Sequence, residues 1–198
     1  MNLKKIFDLL VGLVSQPARV WSDLSDKQGD NNEQFFKSYL YPLLGIVALL
    51  SFVGVLFSMT EGEGIRTRLS FGESFQYALK NCIRLMIITF AGFHTASYVL
   101  SEVMKRTFKR PGEMILCQGF VGYTSAYVYL LILIRSLFPS LFFLYIFLLY
   151  VVYIIWEGAI PYMKIEENDQ MKFTIWAGVI VLLTPFFVEI VIVSFMLN

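Results

Sequence analysis

"LFFLYIFLLYVVYIIWEGAIPYM", residues 141–163, decides the class of this chain. One charged side chain, Glu157, interrupts a run of aliphatic and aromatic residues, and Pro161 follows it closely. A helix needs about 20 apolar residues to cross a bilayer core, and this stretch is long enough. Four other runs share its character: 36–59, 75–100, 114–138 and 173–197. The second is the most polar, because Lys80, Arg84 and His94 fall inside it. The chain of 198 residues is 57% hydrophobic and 16% charged, with a mean hydropathy of +0.66. Soluble domains carry about a quarter charged residues. The expected fold is an all-α membrane protein: a cytoplasmic amphipathic segment over 1–35, then a five-span transmembrane helix bundle over 36–198.

Basic residues near the span ends orient such a bundle. Lys4, Lys5, Arg19, Lys27 and Lys37 precede the first span. Lys105, Arg106, Lys109 and Arg110 lie between the second and third, and Lys164 and Lys172 between the fourth and fifth. The other side holds Arg66 and Arg68, with Arg135 at its edge. This asymmetry predicts a cytoplasmic N-terminus and an external C-terminus. The N-terminus lacks a cleavable signal pattern. A net charge of +1 gives no reason to expect a nucleic-acid partner.

Residues 3–14 read as an amphipathic helix, with Leu3, Ile6, Phe7, Leu10 and Val14 on one face and Lys4, Lys5 and Asp8 opposite. Such a helix lies on an anionic leaflet or packs on the cytoplasmic ends of the spans. "PARVWSDLSDK", residues 17–27, reads as a second short helix opened by Pro17, with Val20, Trp21 and Leu24 on its apolar side. Lys4, Lys5, Trp21, Lys105, Arg106, Lys109 and Arg110 are therefore the candidate contacts with a membrane surface or a partner.

Ionisable groups inside spans are functional suspects, because an unpaired one is costly there. Tyr150, Tyr153 and Glu157 follow helical spacing and share a face. They either line a wet cavity, or the phenols satisfy the carboxylate. By depth, His94 and the tyrosines are the expected neighbours of Glu157, and Arg84 or Arg135 is the expected partner of Glu189. Gly119, Gly122, Tyr123 and Ala126 suggest close helix contact, with Thr124 or Ser125 bonding across. Pro185 should kink the last span. Cys82 and Cys117 sit in apolar runs, and there is one histidine. No Walker loop, HExxH or nucleophile elbow is present. The expectation is a non-enzymatic protein with no cofactor and no metal site, in contact with membrane lipids and other membrane or cytoplasmic proteins, and able to form oligomers. The competing reading is a small transporter or ion pathway using Glu157, His94 and Glu189 with Arg84.

The layout resembles the Yip family of integral membrane proteins, the Rab-interacting group and its bacterial relatives. "SQPARVWSDLSD", residues 15–26, is similar to the Pro-x-x-x-aromatic lead-in of the bacterial members. "YLYPLLGI", residues 39–46, opens the first span in the family's manner, and "GFVGYTSAYVYLLI", residues 119–132, resembles its Gly-Tyr-Ser-type segment. The resemblance implies a five-span, non-enzymatic membrane protein of scaffold or interaction type, here a bacterial-type member in an inner membrane. Eukaryotic members act in vesicle trafficking with small GTPases. Their acidic Gly-Pro motif before the first span is not found here in that form, so Rab binding is not carried over.

Overall fold

The computed structural model describes residues 3–26, 35–61, 70–138 and 140–197. The loop expected at 29–34, most of the connection over 60–74, and the basic residues Lys27, Arg66 and Arg68 lie outside the described residues. Every regular element among the described residues is helical. α1 spans Leu3–Ser15 and α2 Pro17–Ser25. A π-helical turn, Phe36–Leu40, leads into α3, Tyr41–Glu61. α4 runs Phe71–Thr107 and α5 Met114–Leu137. A 3₁₀ run, Phe142–Leu149, continues as α6, Tyr150–Ala159, and α7 is Gln170–Leu197.

Local chemistry sets several of these limits. Ser70 caps α4 reciprocally with Glu73: the Ser70 backbone N–H donates to the carboxylate at 3.1 Å, and the Ser70 hydroxyl accepts from the Glu73 N–H. Pro111 and Pro161 follow α4 and α6, where no helix continues easily. The chain reverses after α4 through Lys109, whose φ of 52° is left-handed. Ser101 Oγ donates to Gly112 O at 2.8 Å and ties that reversal down. Pro185 does not end α7, which continues to Leu197.

Four helical segments are long and apolar enough to cross a membrane: Phe36–Ser58, Phe71–Thr107, Met114–Arg135 and Glu167–Ile192. The stretch 141–163 differs from the single helix expected there, since its first half is wound as a 3₁₀ helix. It returns along the whole of α5. At one end Arg135 of α5 bonds the Tyr145 hydroxyl. At the other, Arg110 bonds Lys164 O and, at 2.6 Å, the Glu166 carboxylate.

α1 and α2 fold back on each other at Gln16 and pack on the bundle. A Cβ added at Gly12 would stand 2.7 Å from Val20 Cγ2, so this crossing needs glycine. The buried side of α1 carries Ile6 and Leu13, while Phe7 is 66% exposed and Val14 is also exposed. That rotates the apolar face relative to the one expected: Val20 of α2 meets α1 at Gly12, and Ile6 packs with Tyr39, Val47 and Tyr129 of the bundle. Leu13 and Trp21 belong to one core with Phe120, Ile154, Ile155, Tyr162 and Phe173.

Candidate functional site

Trp21 was an expected surface contact, and its side chain is instead 0% exposed. Its Nε1–H donates to Ile154 O at 2.9 Å. The ring stacks on Phe120 with centroids 5.0 Å apart, and the Tyr162 and Tyr123 rings stand at 5.0 and 6.1 Å. An indole this enclosed is a packing anchor with its one donor satisfied. Two bonds extend the docking: Ser25 Oγ donates to Pro161 O at 2.7 Å, and the Tyr150 hydroxyl donates to Val14 O at 2.7 Å. The glycines expected to join helices receive aromatic rings instead. A Cβ on Gly119 would collide with the Tyr162 hydroxyl, and one on Gly122 would stand 2.5 Å from Phe35 Cζ. Gly158, a glycine outside that expectation, leaves room for Trp21, whose Cε2 would stand 2.6 Å from a Cβ there.

Glu157 lies half-buried, one helical turn after the exposed Tyr153. The Tyr150 ring packs on Tyr153 with centroids 5.3 Å apart, while its hydroxyl is taken by Val14 O. His94 is not brought to Glu157: its Nδ1 sits 3.0 Å from Phe90 O on its own helix, and its ring packs on Phe90 and Phe93. Thr124 also bonds within its own helix, donating to Phe120 O at 2.8 Å. The cross-helix bond comes from Tyr129, which donates to Thr89 O at 3.3 Å.

The basic cluster at the end of α4 is partly neutralised, its four cations set against two carboxylates. Lys105 and Arg106 bind Glu102 at 3.3 and 3.0 Å, and Arg110 binds Glu166. Lys109 is exposed, as is Lys4 in α1. Lys5 also falls in α1.

The remaining predicted residues converge at the far end of α5. Arg84 of α4 pairs with Glu189 of α7. Arg135 bonds Tyr145 and lies over its ring, 4.6 Å from the centroid. Both arginines and Glu189 line a cleft of about 390 Å³, together with Asn81, Tyr145 and apolar residues such as Pro185. Glu157 and His94 do not line it. Asn81 and Tyr145 were missed in the sequence. Tyr145 had a signal: 135 and 145 lie equally far from 140, so a hairpin turning there sets them level.

A family model, the Yip1 domain, matches residues 11–196. The chain belongs to the Yip1 domain family. With its long apolar helices, this makes it an integral membrane protein whose helices contact lipid. The match begins inside α1, so the last turn of α1 and the whole of α2 fall within the family's domain. No curated protein and no solved structure matches the chain.

Proposed function

We propose that this Yip1-domain protein works without catalysis, as a scaffold or interaction partner in membrane organisation or trafficking, in a bacterial inner membrane. In this reading residues 142–159 are a fifth crossing. Eight 3₁₀ residues at about 2.0 Å and ten α residues at about 1.5 Å give about 31 Å. A bilayer core is about 30 Å thick. Five crossings put the N-terminus in the cytoplasm and the C-terminus outside, in agreement with the basic residues.

The observation that carries the reading is the burial of Trp21. It holds α1 and α2 against the bundle as a fixed platform rather than a loose tail. The outer face of that platform carries Phe7 and Val11, both exposed, with the exposed Lys4 and Asp8 on the same helix. Exposed apolar groups ringed by charge are the usual composition of a partner surface.

The test compares in-cell crosslinking of the wild type with a Phe7→Ser/Val11→Ser double variant. Neither side chain belongs to the core, so membrane insertion should persist. The double variant should lose the adducts that the wild type forms with other membrane or cytoplasmic proteins. Identical adducts from both would remove this face from the function.

A further inference from the structure

We infer that the cleft at the far end of the bundle is a binding site for a phosphate-bearing anion, and that the source of the phosphate is the headgroup of an anionic lipid. The helices at this end are of unequal length. Tyr129 of α5 bonds Thr89 of α4, so α5 passes the level of Arg84 and its partner Glu189 by only about one turn before ending at Leu137, while α4 and α7 continue further. The short α5 and the 3₁₀ run after it therefore leave a notch, with α4 and α7 as walls. The cleft of about 390 Å³ occupies it.

Depth places the notch in a leaflet. Tyr98, Tyr153, Trp156 and Trp176 are exposed around the bundle on the side of α1 and α2. Such a girdle of tyrosine and tryptophan marks a membrane–water interface. From Tyr98 to Arg84, and from Trp176 to Glu189, is about 20 Å at about 1.5 Å per residue. The notch floor thus lies about 10 Å inside the opposite face of a core about 30 Å thick. That is within reach of a headgroup drawn slightly inward, or of a guanidinium extended outward.

The charges select the ligand. Two guanidiniums and one carboxylate line the cleft, leaving an excess of one positive charge. Glu189 answers Arg84. Arg135 has a neutral phenol and its ring as partners, and no carboxylate ion-pairs with it among the described residues. A guanidinium presents five donors in a planar fork that fits phosphate oxygens in pairs. Asn81 and the Tyr145 hydroxyl add neutral hydrogen-bonding groups, and the apolar wall formed by residues such as Leu131, Ile132 and Leu148 suits acyl chains. A phosphodiester attached to acyl chains, with no cation in its own headgroup to balance it, satisfies both the excess positive charge and the apolar wall of this lining. That the occupied leaflet is the outer one rests on the topology proposed above; the site itself does not.

The test is native mass spectrometry of the detergent-solubilised full chain with phosphatidylglycerol and, separately, phosphatidylcholine. The wild type should retain phosphatidylglycerol about tenfold better. Arg135→Gln should abolish that preference, and Arg135→Lys should keep part of it, because the charge remains and the fork is lost. Inorganic phosphate in excess should leave the lipid bound. Displacement of the lipid by inorganic phosphate would refute the lipid source and assign the cleft to free phosphate. Equal retention of the two lipids by the wild type, or a preference that survives Arg135→Gln, would overturn the site. The wild-type comparison decides against it even if the glutamine variant fails to fold. Because crosslinking at Phe7 and Val11 probes the opposite end, failure here is distinct from failure of the scaffold reading.

Discussion

At Trp21 one side chain joins the N-terminal helices to the bundle. Its removal opens a void among Phe120, Tyr123 and Tyr162 and leaves Ile154 O without the indole donor. Large-to-small core substitutions of this kind cost about 3–5 kcal/mol. Trp21→Phe keeps a ring to stack on Phe120 and loses the hydrogen bond, worth about 1 kcal/mol. Thermal denaturation in detergent should therefore rank wild type, then Trp21→Phe, then Trp21→Ala, with the alanine variant far below the others. Near-equal stability of Trp21→Ala would mean that the ring is not anchored. The apolar side of α2 was legible from the spacing of Val20, Trp21 and Leu24. Whether that side meets lipid or protein was not, because an amphipathic stripe looks the same against either. The same limit explains Phe7 and Val14. Their apolar character was plain, but the bundle and α2 together decide which side of α1 is covered. The ion pair of Arg84 with Glu189 was legible because depth along two antiparallel spans follows from residue counting. The distance of His94 from Glu157 was not, because depth says nothing of which helices are neighbours.

The run from Phe142 to Ala159 is the element on which the membrane topology turns. Its apolar character was clear in the sequence, and so was its return along α5. The 3₁₀ winding of its first half was not, since "FFLYIFLL" carries no proline or glycine to signal it, and 3₁₀ runs of this length are uncommon. The tighter winding stretches the chain, so fewer residues cover the same thickness. Five crossings place the turn near Ser140 and the connection at Lys164 on opposite sides of the membrane; both residues are exposed. In a background with Cys82→Ala and Cys117→Ala, Lys164→Cys should react with an impermeant thiol reagent only from the cytoplasmic side, and Ser140→Cys only from the other. Labelling of both from one side would make the run a re-entrant hairpin and reduce the crossings to four.

In the molecule as a whole, two ends have different characters. One end is a protein-filled platform in which α1 and α2 share a core with α5, α6 and α7. The other is notched, with arginines facing a cleft. Charge bias led to the expectation of a cytoplasmic first end, but nothing in a linear sequence announces the notch, which arises from helices of unequal length. The platform is the central claim, and the three tryptophans allow it to be tested without disturbing the packing. Trp156 and Trp176 are exposed around the bundle, while Trp21 is enclosed. In a Trp156→Phe/Trp176→Phe variant reconstituted in vesicles, Trp21 alone fluoresces. If it is docked as described, its emission resists quenching by aqueous acrylamide and by brominated lipid chains alike. Quenching by brominated lipid would put the N-terminal helices on the membrane surface, quenching by acrylamide would put them in water, and either result would contradict the account.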